Sequence, residues 1–256
     1  MLKVYLDWNC ITNDCKGFLV LAERYKGHVL FPYTREHIRD LLVSKNHKDF
    51  FDNDLHILKQ ICNDYLLNIN DDQSSFIKIC PLEYQRSNGW RIRLIQVPFN
   101  WISRNNYKRL KHSVQKNITK TELNYIRNLD VQEVISYLDS YIMTHQLGDS
   151  LEDFSNRWIP HYNWLYNTPS RLKGVYFALD LIGYYSDKKG KTNFSFTNLD
   201  IDANHVTNAI FCDCFVTDDT RQRIKAEAIY KRYGSKSDIV TPDKLEEWIK
   251  TRLSVL

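Results

Sequence analysis

Four aspartates near the two ends of the chain have residue types and positions suited to binding a divalent cation. Asp7 directly follows the apolar run that opens the chain, and Asp219 follows a second β-rich run. Asp40 and Asp202 lie in segments with helical patterns. Carboxylates gathered from such distant points would repel one another unless a cation lay between them, and hard oxygen ligands select Mg²⁺ or Mn²⁺. The spacing is typical of a divalent-metal nuclease site.

Short β-rich runs separated by helical patterns are expected to position these carboxylates. The pattern predicts strands at 2–6, 28–32, 212–217 and 238–240. It predicts a mainly helical stretch from 49 to about 164 and further helices at 10–25, from Thr34 onward, and at 170–185, 202–211, 221–232 and 242–253. Strands that alternate with helices indicate an α/β fold with a parallel sheet. Such sheets carry functional groups at the carboxyl ends of their strands.

The length and composition exclude several other classes of protein. The 256 residues are predicted to form a single domain, with a core of residues 1–48 and 165–256 and a mainly helical insertion at 49–164. No stretch approaches the ~20 apolar residues of a membrane span, and the first residues lack a signal-peptide pattern. We therefore expect a cytoplasmic protein without a membrane partner.

Glycine and cysteine usage also restricts the chemistry. The eight glycines form neither a GxGxxG turn nor a GxxxxGK[ST] loop, so these two types of nucleotide site have no support. The six cysteines lack the paired spacing of a zinc site, and we expect reduced, mostly buried thiols.

The positive charge of the chain is concentrated in one segment. Residues 86–120 contain nine Lys or Arg and no Asp or Glu, whereas the rest of the chain carries 26 basic and 31 acidic residues. Aromatic side chains lie between these cations, a mixture suited to phosphate contacts and to stacking on unpaired bases. The residues predicted to bind nucleic acid are Arg91, Arg93, Trp101, Arg104, Tyr107, Lys108, Arg109 and Lys111. The alternative is that the aromatic residues belong to the core and the charges form a solvated face.

Four motifs together resemble a PIN-like domain. They are Asp7-x-Asn9 after the opening strand, an acidic residue in the helix that Thr34 caps (Asp40), the helical Asp202-x-x-His205 with Ala209 further on, and the strand end from Cys212 to Asp219. The resemblance covers about residues 1–48 and 165–256. It implies a three-layer α/β/α fold with a central parallel sheet, and metal-dependent RNA cleavage.

The resemblance also assigns roles to individual residues. It implies that the catalytic residues and ligands of Mg²⁺ or Mn²⁺ are Asp7, Asp40, Asp202 and Asp219. Asp219 is preferred to Asp218 because the pattern of the family is Thr-x-Asp. The residues with secondary roles are Asn9, which caps the first helix or orients Asp7, His205, which hydrogen-bonds a ligand, Asp218, and Glu36, a reserve carboxylate on the same helical face as Asp40.

The expected function is that of an endoribonuclease in which activated water cleaves a phosphodiester. The expected partners are RNA, such as a tRNA loop, and an inhibitory or activating protein, as in toxin or antiviral-defence systems. Three alternatives remain open: a catalytically inert PIN-like scaffold or binding module, a metal-dependent DNA 5′-nuclease, and a phosphohydrolase of small molecules.

Overall fold

The computed structural model describes residues 1–43, 47–70, 73–158, 170–186 and 196–255, some of them by their backbone alone. The chain forms two compact units. Unit 1 comprises Met1–Gln96, Asn208–Asp218 and Lys236–Leu256, and unit 2 comprises Val97–Thr207 and Asp219–Ser235. The prediction of a single domain with an insertion at 49–164 stays a prediction.

Unit 1 contains the strands, which are β1 (Leu2–Leu6), β2 (Val29–Leu30), β3 (Tyr65–Asn70), β4 (Gln73–Lys78), β5 (Cys214–Val216) and β6 (Asp238–Val240). Four of them form a parallel sheet in the order β2-β1-β5-β6. Leu6 lies opposite Val216 in the register of β1 and β5. The predicted α/β fold with a parallel sheet is confirmed.

The helices of the described residues are α1 (Trp8–Asn13), α2 (Cys15–Arg24), α3 (Arg35–Val43), α4 (His47–Cys62), α5 (Pro81–Lys116), α6 (Lys120–Asn128), α7 (Glu133–Thr144), α8 (Leu151–Trp158), α9 (Ser170–Leu181), α10 (Phe196–Ala209), α11 (Thr220–Tyr233) and α12 (Leu245–Leu253). A short 3₁₀ helix, Pro242–Lys244, precedes α12, so the predicted start at a proline is confirmed. No helix among the described residues is both long and apolar enough to cross a membrane.

The predicted helix at 10–25 is two helices, α1 and α2. Asp14 interrupts it with φ −142° and ψ 60°, and its carboxylate accepts a hydrogen bond from the backbone N–H of Gly17 at 3.0 Å. This carboxylate therefore caps α2. Gly27, with φ +83°, turns the chain toward β2 in a conformation that side chains rarely adopt.

An antiparallel hairpin of β3 and β4 lies within the stretch that was predicted to be mainly helical. The preceding helix α4 ends at Cys62, and Tyr65 begins β3. Asn63 and Asp64 follow with φ +47° and +64°. Asn and Asp tolerate this left-handed conformation, which stops a helix and redirects the chain.

The elements described in unit 2 are helices. α9 packs against α8 and α11, and α7 also contacts α8 and α11. One face of α7 is buried and consists of Val134, Ile135, Leu138 and Ile142. Amphipathic helices of this kind are stabilised by burying one face against their neighbours.

Candidate metal centre

The candidate centre lies where β1 and β5 end. β1 and β2 lie on one side of this junction, β5 and β6 on the other, so the direction of strand order changes between β1 and β5. Asp7 follows β1, and its backbone N–H donates to the carbonyl of Val216 at 2.9 Å. Thr217 and Asp218 follow β5. Parallel α/β sheets bind ligands outside the carboxyl ends of their strands at such a switch point.

Three side chains with metal-binding atoms meet at this edge. Among the described residues, the ligand atoms of Asp7, Cys10 and Asp218 lie within 4.8 Å of one another. The side chains of Asp7 and Cys10 are buried, each 1% exposed, and Asp218 is exposed. The group therefore extends from the interior of unit 1 to solvent.

Neutral side chains donate hydrogen bonds to the two carboxylates. The Thr217 hydroxyl donates to Oδ2 of Asp7 at 3.3 Å, and the Asn13 amide donates to Oδ2 of Asp218 at 2.7 Å. The thiol of Cys10 lies 3.8 Å from Oδ1 of Asp218 and 3.7 Å from the carbonyl of Val216. These donors hold the carboxylates in place and carry no charge themselves.

The donor set consists of two carboxylates and one thiol. Burial raises the pKa of the Cys10 thiol far above its usual value, and the charges of Asp7 and Asp218 raise it further. A protonated thiol is a weak hydrogen-bond donor, whereas zinc binding requires a thiolate. The oxygens of Asp7 and Asp218 are hard donor atoms, the kind that Mg²⁺ and Mn²⁺ prefer.

A buried hydrogen-bond chain supports the end of β1. The backbone N–H of Thr34 donates to Nδ1 of His37 at 3.0 Å, so this nitrogen is the acceptor of the ring. The proton is then on Nε2, which donates to the carbonyl of Leu6 at 2.8 Å. Through this chain the start of α3 fixes the residue that precedes Asp7.

Two other predicted residues also lie on α3. Glu36 is buried and forms an ion pair with Arg39 at 3.1 Å, which gives this reserve carboxylate a structural contact. Asp40 is half-buried on the same helix. Asn9 is exposed and lies inside α1, which Asp7 precedes as the N-cap residue, so Asn9 does not cap that helix.

The remaining predicted ligands lie in unit 2. Asp202 is half-buried on α10, and its backbone carbonyl accepts from the Gln222 side chain at 3.5 Å. His205 is fully buried on the same helix. Asp219 is the N-cap of α11, where its Oδ1 accepts from the backbone N–H groups of Arg221 and Gln222 at 2.7 and 3.1 Å. The metal roles of Asp40, Asp202 and Asp219 stay predictions.

The basic segment lies on the long helix α5 as far as Lys116, and its last cation, Lys120, begins α6. Lys108 and Arg109 are exposed, as expected for phosphate contacts. Tyr107 is buried and donates to the carboxylate of Asp180, and Lys111 pairs with the same carboxylate at 2.6 Å. For these two residues the structure supports the alternative of a core role. Four of the residues predicted to bind nucleic acid have side chains outside the described part of the structure. They are Arg91, Arg93, Trp101 and Arg104.

Sequence reasoning missed the contribution of Thr217 and Asn13 to the centre. The position of Thr217 was a usable signal, because the residue that follows β5 must lie beside the residue that follows the neighbouring parallel strand. Asn13 had no such signal, since its contact joins residues far apart in the chain.

No family model, curated protein or solved structure gives a significant match to this chain.

Proposed function

We propose that the chain is a PIN-like, Mg²⁺- or Mn²⁺-dependent endoribonuclease whose metal centre is built on Asp7 and Asp218. The observation that carries the proposal is the meeting of these carboxylates, with Cys10, where two adjacent parallel strands end. Placing two carboxylates so close costs Coulomb energy that a divalent cation offsets. A three-layer PIN-like arrangement is part of the proposal.

The residues of the centre have distinct tasks in this function. When bound, a divalent cation stabilises the negative charge that develops on the phosphate and orients water for in-line attack. Asp7 and Asp218 hold the cation, while Thr217 and Asn13 fix their orientation. Asp40, which lies in the same unit, is a candidate to complete the ligand set, and the ligand roles of Asp202 and Asp219 stay implications of the resemblance. The water oxygen bonds to phosphorus as the bond to the 3′-oxygen breaks, which leaves a 5′-phosphate and a 3′-hydroxyl.

Other parts of the proposal follow from the resemblance. They are RNA as the substrate, a cytoplasmic location, and a toxin or antiviral-defence role with a regulatory protein partner. The cationic segment at 86–120, which lacks acidic residues, supports a polyanionic substrate. A small-molecule phosphohydrolase would leave that segment without a role. A structured RNA loop, such as that of a tRNA, offers the unpaired bases that proteins recognise in sequence-specific RNA binding.

The test is cleavage of circular single-stranded RNA by the purified chain with Mn²⁺. The circle should be linearised with a 5′-phosphate, because an endonuclease needs no free end. Asp7→Asn and Asp218→Asn should each lower the rate roughly 100-fold or more, the scale for losing one stabiliser of transition-state charge. Both variants should keep or slightly raise the unfolding temperature, because removing one of two neighbouring charges relieves repulsion.

Asp52→Asn is the matched control, because Asp52 is an exposed aspartate on α4 of unit 1. It should cleave RNA like the unchanged chain. Full activity in Asp7→Asn would remove that residue from the centre. Cleavage restricted to DNA with a free 5′ end would favour the DNA 5′-nuclease. No cleavage of either substrate with any divalent metal, with or without candidate partners, would favour the inert scaffold.

A further inference from the structure

The last part of α5 has two faces of opposite character within unit 2. Between Asn105 and Lys116, one face is buried and consists of Tyr107, Leu110 and Val114. The opposite face is exposed, and its residues are Asn105, Asn106, Lys108, Arg109, His112, Ser113 and Lys116. Every one of these exposed side chains is polar, and three carry a positive charge.

The buried face fixes the orientation of the helix. Tyr107 and Lys111 both contact the carboxylate of Asp180. The side chain of Gln115 donates to the carbonyl of Leu181 at 3.3 Å, and the hydroxyl of Tyr141 donates to the carbonyl of Val114 at 3.4 Å. The exposed cations therefore project from a helix that is anchored over three turns.

The exposed cations of α5 differ from Arg24, Lys26 and Lys250 of unit 1. In unit 1, Arg24 and Lys250 both pair with Glu246, at 2.5 and 2.9 Å, and Lys26 pairs with Glu23 at 3.3 Å. Lys108, Arg109 and Lys116 lie near no carboxylate within ion-pair distance among the residues that the structure describes. Their charge is available to an external anion.

We propose that the exposed face of α5 binds the backbone phosphates of single-stranded RNA and so holds the substrate of the nuclease, a proposal that rests on the function proposed above. Lys, Arg, Ser and Asn are the side chains that contact phosphates in nucleic-acid complexes. Lys108, His112 and Lys116 follow one another at about 6 Å along the helix axis, which forms a polar row about 12 Å long with a cation at each end.

The composition of this face argues against two other partners. A helix that binds a membrane surface needs apolar side chains to enter the lipid, and the exposed residues between 105 and 116 include none. A protein partner would need an apolar or aromatic centre in the interface. For unpaired bases, unit 2 offers the exposed ring of Tyr125, which is 57% exposed on α6.

The test is binding of a labelled single-stranded RNA, measured by fluorescence anisotropy in EDTA over a range of salt concentrations. In the variant with Lys108→Gln, Arg109→Gln and Lys116→Gln, affinity should fall at least 10-fold. The slope of log affinity against log salt should become shallower by about 2, because three phosphate contacts to a single strand are lost. Lys108→Gln alone should reduce that slope by about 0.7. Circular dichroism checks that both variants fold.

The matched control removes the same number of charges from unit 1, by Arg24→Gln, Lys26→Gln and Lys250→Gln. It should bind RNA within about twofold of the unchanged chain. Equal losses in both triple variants would mean that only net charge matters and would overturn the proposal. Unchanged binding in the α5 variant would overturn it as well, as would tighter binding of the chain to DNA or to anionic vesicles than to RNA.

Failure of this proposal is distinguishable from failure of the nuclease. EDTA removes divalent metal, so RNA binding does not depend on Asp7 or Asp218. Asp7→Asn should bind RNA with unchanged affinity while losing cleavage. A chain that binds RNA through α5 but cleaves no substrate would support this surface and contradict the proposed activity.

Discussion

In unit 2 the carboxylate of Asp180 is buried between two ammonium groups, whereas in unit 1 the carboxylates of Asp7 and Asp218 lie beside each other. Lys111 and Lys225 approach Asp180 at 2.6 and 3.5 Å. The side chains described as donating to Asp7 and Asp218 are neutral. The first cluster contains compensating charges, whereas the second brings two carboxylates together. A balanced buried cluster is explained by the fold alone, and a cluster of like charges at a strand switch point is typical of a ligand site.

The difference between the two clusters should be largest when Asp180 is removed from its cluster with Lys111 and Lys225. Asp180→Ala would leave two ammonium groups without their carboxylate inside unit 2. Breaking a buried pair in this way costs about 3 to 5 kcal/mol of unfolding free energy, the largest effect that we expect. Urea unfolding measures this loss, and Glu23→Gln, in an exposed ion pair, should change stability little. A small effect of Asp180→Ala would mean that the cluster is not structural.

The same variant should change how stability depends on pH. Burial alone would raise the pKa of Asp180, but Lys225 and Lys111 outweigh burial, and the pKa lies below its usual value. The stability that Asp180 contributes is therefore complete above the unfolded pKa of about 3.9. It is lost as the pH falls further through the folded pKa. Below about pH 4 the unchanged chain should lose stability more steeply than Asp180→Ala.

The like-charged cluster should respond through metal affinity. Thr217→Val removes the hydroxyl that donates to Asp7 and should weaken Mn²⁺ binding about 10- to 100-fold, the usual effect of losing a group that orients a ligand. Thr217→Ser retains the hydroxyl and should restore binding. Calorimetric titration with Mn²⁺ measures both. Equal affinities of the Val and Ser variants would show that this hydrogen bond does not orient the site.

The sequence predicted the sheet because its strands are short apolar runs separated by helices, a pattern that local chemistry determines. It did not predict β3, since Tyr65 and Leu66 continue the apolar pattern of α4. The helix ends before the left-handed Asn63 and Asp64, and β3 is then fixed by backbone hydrogen bonds of Tyr33 with Tyr65 and Leu67. Boundaries of this kind depend on contacts that a linear pattern does not contain.

The candidate site was predictable in part for the same reason. An aspartate after β1 must lie at the carboxyl edge of the sheet, so the position of Asp7 followed from the strand. Tyr107 was interpreted as a surface aromatic because of its charged neighbours. Its spacing from Leu110 and Val114 is that of one helical face, and this signal predicts the burial that the structure has. The sequence alone does not show that Lys111 forms an ion pair while Lys108 and Arg109 are exposed, because this difference depends on the position of Asp180.

The smallest expected change in stability and Mn²⁺ affinity concerns the adjacent residues Asp218 and Asp219. Sequence spacing alone could not show which of the two carboxylates is the principal ligand. Asp219 caps α11, so Asp219→Ala should cost about 1 kcal/mol of stability. Asn caps a helix as well as Asp does, so Asp219→Asn should keep full stability and isolate the role of the charge. We expect Asp219→Asn to weaken Mn²⁺ binding less than Asp218→Asn, because the Asp218 carboxylate already lies with Asp7 and Cys10. An equal or larger loss in Asp219→Asn, measured by the same titration, would make Asp219 a principal ligand, as the PIN-like resemblance implies.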